Sequence, residues 1–300
     1  MRPQIFILKK ELNFFLIRLN CLCMLVLFFL SVEVMSAQSS ITKAQGEACK
    51  TAKHTKLQIE SQALLNAKRQ AVEFAKTYVK VQTQVTNFEL EKDIIKSFSE
   101  AEVKVLSVNN KTWDDKQRCY SISIMAEIFP VLLSQGQGDL LMTNPTAPLT
   151  VKVWTDQAQY HLGQYMKIYI KGNKPFYGRL TYKDASGNLL QILPNVNRSS
   201  HHFNGSVTYQ VPDIKDNFEL LVEPPLGLEK LTLYASTAPL GKIEKQDIGG
   251  IYKISQSPEQ VGFKTRGIRL ITSNNNNKTG KANIVAEFDE AWVKTEIIKN

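Results

Sequence analysis

The sequence has little of what catalysis is usually built from. Four histidines and four cysteines occur in 300 residues, and none sits in a metal-holding pattern. There is no HExxH, no CxxC and no Asp/Asn-rich calcium loop closed by Glu. A GxSxG nucleophile elbow is absent, as is the phosphate-cradling GxxxxGK(S/T). The one Gly-Gly pair, Gly249-Gly250, lacks a following Lys-Ser or Lys-Thr and reads as a turn. The adjacent His201 and His202 would point to opposite sides of an extended chain, so they do not chelate as an i,i+4 helical pair does. Asp213, Asp216 and Glu219 surround one turn and read as a surface cluster, not as the opposed pair that glycoside cleavage needs. These absences leave no metal site, no cofactor and no catalytic residue to nominate, and the expectation is a protein that is not an enzyme.

Charge is uneven along the chain. There are 37 Lys+Arg against 28 Asp+Glu, a formal +9. Arg2, Lys9, Lys10, Arg18, Glu11 and Glu33 all fall within residues 1–37, and without that segment the excess is +7. Such a balance permits attraction to acidic surfaces but suits an ordinary soluble basic protein equally well, and nucleic acid is not expected as a partner. The cations of residues 1–37 precede an apolar run, Cys21–Val32, which is followed by Val34-Met35-Ser36-Ala37-Gln38. That is the layout of a secretory signal peptide, and the run is short for a membrane-spanning helix. Cleavage falls after Ala37 or after Ser36, and the long leading segment also admits an uncleaved anchor. The expected location is the periplasm or cell surface of a bacterium, with no stable membrane span once the signal is removed.

Removing that segment leaves Cys49 and Cys119. In an oxidising compartment an even pair suggests one disulfide. In the alternating run Cys119–Ile128, Tyr120, Ile122, Ile124, Ala126 and Ile128 share one face and Cys119 falls on the other; Cys49 likewise shares a face with Gln45 and Glu47. Two such cysteines on neighbouring strands can be bridged across a sheet, and two free thiols are the alternative.

The pattern divides the chain into a signal segment (1–37), a small α+β unit (38–130), a linker (131–148) and a β-rich unit (149–300). In the first unit, Ala44–Cys49 reads as a short strand. Thr55–Val79 reads as a helix presenting Leu57, Leu64, Ala67, Ala71, Phe74, Ala75 and Tyr78. Lys80–Leu90 alternates, Glu91–Phe98 is mixed, and Val103–Val108 and Cys119–Phe129 read as strands. Beyond the Gly/Pro-containing linker come short alternating runs with turn signals between them: 149–154, 164–170, 177–182, 189–193, 206–211, 218–223 and 231–235. This is the signature of a sandwich or partly open barrel. Lys264–Leu270 resumes strand character, Ser273–Lys278 reads as a solvated loop, and Ile284–Val293 fits a strand or a short helix. The fold class expected is α+β, one long helix on an antiparallel sheet, followed by a mainly β sandwich-like domain.

Two resemblances accompany this pattern. Gly46-Glu47-Ala48 on the opening strand, the alanines 67, 71 and 75 of the helix and the late strand pair resemble, over residues 40–130, the N-terminal domain of flagellar assembly protein T and small outer-membrane lipoproteins. That implies an envelope setting and a non-enzymatic module. The second half carries, in order, Tyr160-x-x-Gly163-Gln164, Tyr177, Asp184-Ala185-Ser186-Gly187, Leu193-Pro194-Asn195, Tyr209-Gln210-Val211-Pro212, Pro224-Pro225-Leu226-Gly227-Leu228-Glu229 and Ala235–Leu240. This set resembles the bacterial domain of unknown function 4384, with Leu226 standing where an aromatic is expected. The resemblance implies an extracytoplasmic β-rich accessory domain, fused in some members to peptidase-like or kinase modules that are not seen here.

For binding, the candidates are Tyr165, Lys167 and Tyr169, together with Lys171, on one strand face, and Tyr177 and Arg179 on another. Tyr and Lys/Arg alternating with apolar residues can hold a glycan or peptide by stacking and charge-assisted bonds; β-propensity alone also explains the tyrosines. The functional expectation is an accessory or scaffolding protein acting on an envelope protein. A module for cell-wall glycan is the alternative, and a hydrolase with scattered residues a third.

Overall fold

The computed structural model describes residues 38–51, 54–83, 88–131, 138–266 and 284–299. Residues 1–37, expected as a signal segment, and Ser273–Lys278, expected as a solvated loop, lie outside them. The chain opens with β1 (Ser39–Cys49), the long helix α1 (Lys56–Thr83), a second helix α2 (Phe88–Ser99) and the strands β2 (Glu102–Asp114) and β3 (Cys119–Phe129). β1 and β3 pair antiparallel from Ser40↔Ile128 to Cys49↔Cys119. The final pair is a disulfide, so the strands are neighbours and the bridged alternative holds over two free thiols.

α1 lies on this sheet through a narrow stripe. Ile59, Ala63, Ala67, Ala71, Ala75 and Val79 recur every four residues and are at most 2% exposed. The alanines let helix and sheet backbones approach closely, and Gly46 completes the fit. A Cβ there would lie 2.1 Å from the Ala63 carbonyl oxygen and 2.3 Å from the Ala67 nitrogen. The expected helix face needs one correction. Leu57 is 74% exposed, because two residues are roughly 200° of helix rotation away from Ile59. The alternation after Val79 is also not a strand: α1 continues to Thr83, and α2 buries Ile94 and Phe98, one turn apart, in the same core.

After α3 (Gly138–Thr143) come β4 (Val151–Thr155), β5 (Gln159–His161) and β6 (Ile168–Gly172). The hairpin of β7 (Phe176–Lys183) and β8 (Leu189–Leu193) follows, then β9 (His202–Phe203) and β10 (Thr208–Val211). The long β11 (Gly227–Ser236) leads through β12 (Lys245–Asp247), β13 (Tyr252–Ile254) and α4 (Pro258–Thr265) to β14 (Ile284–Ile298). The segment that fitted either strand or helix is thus a 15-residue strand. Lys264 and Thr265, expected to resume a strand, end α4 instead. That helix is started by a capping box between Ser257 and Gln260, with Pro258 in its first turn.

β14 is the junction of the molecule. One edge pairs with β11 from Gly227↔Ile297 to Ser236↔Phe288; the other pairs with β1 at Ser39↔Phe288 and, in parallel, with β5. The result is one 11-stranded sheet in the order β12-β13-β8-β7-β11-β14-β1-β3-β2, with β5 and β9 attached at the side. A three-stranded sheet, β10-β6-β4, covers its C-terminal part. Between these two sheets lies a core that includes Val151, Ile168, Ile170, Phe176, Leu180, Leu231, Leu233 and Val293.

Two buried carboxylates fasten the small sheet. Glu287 Oε2 accepts the backbone N–H of Leu149 at 3.0 Å, and Asp289 Oδ2 that of Val151 at 2.7 Å, so donors on the edge of β4 are satisfied by side chains of β14. On the opposite side of the large sheet, α4 packs over Tyr234 and Leu189. Arg266, just past its end, reaches Glu127 of β3 at 3.0 Å. Glu127 is 1% exposed. Burial pushes its pKa up, against the hydrogen bond from Ser39 and the nearby Arg266, which pull it down.

Candidate functional site

The hairpin β7–β8 turns as its sequence suggests. Asp184 accepts the Asn188 N–H and amide, and Gly187 takes φ 88°, a region open to glycine at little cost. Facing this turn is the stretch Phe218–Pro225. It alternates like a strand but is not one. Among the described residues it makes one bridge, Tyr165↔Leu221, yet it is tethered by Gly163 N to Val222 O, Val222 N to Gln164 O and Met166 N to Leu220 O, at 2.8–2.9 Å. The prolines at 224 and 225, which have no N–H to donate, stop the pairing there. A third boundary is the turn at 248–251, where Asp247 accepts the N–H groups of Gly249 and Gly250.

These pieces enclose a cleft of about 410 Å³ at the end of the inter-sheet core. Met166, Ile168, Ile192, Phe218, Leu220 and Val222 supply apolar surface, and Asp184, Glu219, Glu223 and Glu229 supply carboxylates. Among the described residues lining it there is no Lys, Arg, His, Ser, Thr or Cys.

Glu229 is the unusual member. On β11 the inward positions run Leu233, Leu231, 229, so the register places an acid where the pattern calls for an apolar side chain. Glu229 is 3% exposed, whereas Glu219 and Glu223 are exposed. Its carboxylate accepts the backbone N–H of Ala185, and Oε2 has no hydrogen-bond partner among the described residues. Burial pushes its pKa up to about 7, and the Ala185 bond offsets this only in part. Near neutrality the group is therefore poised between a neutral donor and an anion. The sequence reading did not select it. The available signal was an acid two residues before Leu231, on the apolar parity of the strand.

The structure divides the candidate binding residues between two surfaces. Tyr169 lies on β6 between the inward Ile168 and Ile170, so it faces outward from the small sheet. Tyr165 (54% exposed) and Lys167 precede that strand. Tyr177 and Arg179 lie on β7 of the large sheet, away from its inward Phe176 and Leu180, on the far side of the sandwich. Tyr177 is half-buried against His201 and His202, with ring centroids 5.8 and 4.7 Å away. Arg179 is a correction: it does not present itself outward but is buried at 6% exposure. Its guanidinium donates to Gln191, to the hydroxyl of Thr265 in α4 and to the Gly241 carbonyl. The chain from 239 to 265 covers that part of the sheet, so its charge serves packing. Burial lowers its pKa to about 10, which leaves it protonated at neutral pH.

Around Tyr169 the structure adds partners that sequence spacing did not pick. Trp154 of β4 is its register neighbour, and the rings stack at 5.6 Å with an 18° interplanar angle. Lys152 lies 6.0 Å from the Trp154 ring centre, opposite Lys171. Asp213, Asp216 and Glu219 do not form one surface cluster: Asp216, with its side chain 8% exposed, pairs with Arg198 at 2.8 Å, Asp213 lies 3.9 Å from the same guanidinium, and Glu219 lines the cleft. Among the described residues, Glu47, Cys49 and Cys119 come close enough together to suggest a metal group, but the disulfide occupies two of the three.

Residues 159–239 match the profile of a family described as a domain of unknown function, DUF4384. The matched stretch runs from β5 to just past β11 and contains most of the cleft. Gly163-Gln164, Asp184–Gly187, Asn195, Pro224-Pro225 and Glu229, which carried the resemblance, meet around that cleft. The resemblance of residues 40–130 to flagellar assembly protein T finds no support in the comparisons. No curated protein matches the chain, and no solved structure matches it.

Proposed function

We propose that this is an exported, non-catalytic bacterial envelope protein, an accessory module that holds a segment of a partner protein in the cleft above Glu229. The observation that carries this reading is the unpartnered Oε2 of a 3% exposed carboxyl in a cleft of mixed apolar and acidic lining. A buried polar atom without a partner costs roughly 1–3 kcal/mol, and a ligand that satisfies it recovers that cost. A recess that sets converging polar groups among apolar side chains is also a usual form of a binding site. Among the described residues its lining holds no Ser, Thr, Cys, Lys or His to form the nucleophile and base of acyl transfer, which favours binding over that chemistry. Export rests on the cations and apolar core of residues 1–37, and the disulfide between Cys49 and Cys119 fits an oxidising compartment.

The test is photo-crosslinking in the native envelope. A crosslinking residue at Leu221, which lines the cleft, is expected to give a discrete protein adduct. One at Ile214, 100% exposed and outside the cleft, is expected to give none. Equal labelling from both positions, or none from Leu221, would contradict the reading. The stacked Trp154 and Tyr169 with Lys152 and Lys171 support a second reading, a cell-wall glycan held on the outer face of the small sheet. Retention on insoluble glycan at high salt, lost in Trp154→Ala and Tyr169→Ala, would favour it.

A further inference from the structure

Resting on the cleft as a binding site, we infer that it selects a lysine side chain of the partner segment. The aliphatic stem would lie along Met166, Phe218 and Leu220, and the ammonium would meet the free Oε2 of Glu229. Three observations converge on this ligand. The lining carries carboxylates and no cation, so in a chain of net positive charge this recess has the opposite sign. The carboxylates are graded in depth, with Glu219 and Glu223 exposed and Glu229 buried, an order that leads a cation inward. The walls between them are apolar, which matches a stem of four methylenes with a charge only at its tip.

Glu229 also discriminates between the basic side chains. The Ala185 N–H already occupies its carboxylate on one side, and the unpartnered Oε2 is itself buried, so an incoming ammonium reaches it only by displacing part of the surrounding lining. A guanidinium gains most from a two-pronged contact with both oxygens, whereas an ammonium is a point charge satisfied by one.

Capture is coupled to proton release. The ionisable groups lining this space with Glu229 are Tyr182 and Asp184 from the β7 hairpin and Glu219 and Glu223 from the tethered segment, while Asp247 lies behind the glycine turn and accepts its N–H groups. The Asp184 carboxylate is already engaged with Asn188. Lys183 and Lys230 are neighbours in sequence but lie on the other face of the sheet, where Lys230 packs 4.6 Å from the Trp292 ring centre. Among the described residues no cation therefore lines the cleft at Glu229. With its pKa raised to about 7, the carboxyl is mostly protonated at pH 6 and mostly ionised at pH 8. Binding of an ammonium requires the ionised form, so affinity should rise about tenfold over that interval.

The experiment uses the mature protein and three capped peptides: acetyl-Gly-Lys-Gly-amide, its Arg counterpart, and one with norleucine, which keeps the stem and lacks the amine. Binding is followed by amide chemical shifts. The lysine peptide is expected to shift resonances at Ala185 and Phe218–Val222, to bind at least tenfold tighter than norleucine at pH 8, and to weaken about tenfold at pH 6. In Glu229→Gln, whose own spectrum reports whether it is folded, that preference and its pH dependence should vanish. Equal binding of norleucine, or equal or better binding of arginine, would overturn the lysine assignment and leave the cleft as a binding site. If no peptide perturbs the cleft, the inference fails, and crosslinking from Leu221 decides separately whether the cleft binds a protein at all.

Discussion

Glu229 and Ala185 are joined across the mouth of the hairpin turn: the buried carboxylate of one accepts the backbone N–H of the other. That bond stabilises the ionised form, but burial outweighs it, and the pKa stands at about 7. An acid whose folded pKa is raised binds its proton more tightly in the folded state than in the unfolded chain. Its contribution is therefore most favourable below the unfolded value near 4.5 and is lost as pH rises towards 7. The shift corresponds to a loss on the order of 3 kcal/mol between pH 4.5 and 8. Urea denaturation at several pH values should show a steeper decline over that range for the natural protein than for Glu229→Gln. Parallel curves would mean that the carboxyl is not raised.

The disulfide closes a chain separation of 70 residues. Restriction of the unfolded chain by a loop of that size stabilises by about 4 kcal/mol. Cys49→Ser with Cys119→Ser is expected to lower Tm by roughly 10 °C, and reductant should lower the Tm of the natural protein but not of the double variant.

Arg266 and Glu127 join the end of α4 to β3, at 16% and 1% side-chain exposure. Removing one partner of such a pair strands the other charge, at a cost of about 3 kcal/mol. Arg266→Ala should destabilise by that order. A double-mutant cycle with Glu127→Gln should show coupling of about 1–3 kcal/mol; strict additivity would mean that the contact contributes nothing.

Gly46 and Gly187 should respond differently to alanine. At Gly46 the added Cβ meets the helix backbone at 2.1 Å, so β1 and α1 must separate, with an expected loss of at least about 2 kcal/mol. At Gly187 there is open space and only the positive φ to bear, so about 1 kcal/mol is expected. Equal losses on denaturation would show that the helix is not held as closely as described.

What could be read from the sequence was local. The hairpin from Tyr177 to Asn195 follows from alternation and a turn, both carried by consecutive residues. The cysteines could be paired because alternation placed each on the face away from the core. Glu229 was hidden because its parity matters only once β11 is registered against β14 and the tethered segment Phe218–Pro225 closes the space above it. Arg179 was misread for a related reason: alternation gives the face of the strand, but not whether a later helix covers that face. Trp154 and Tyr169 are 15 residues apart and meet only through the β4–β6 register.

The most direct measurement is a site-resolved NMR titration of the Glu229 side-chain carboxyl in the folded protein, with and without saturating lysine peptide. The expected result is a midpoint near 7 in the free protein, falling by about one unit or more when the peptide is bound. A midpoint near 4.5 that the peptide does not move would contradict the account.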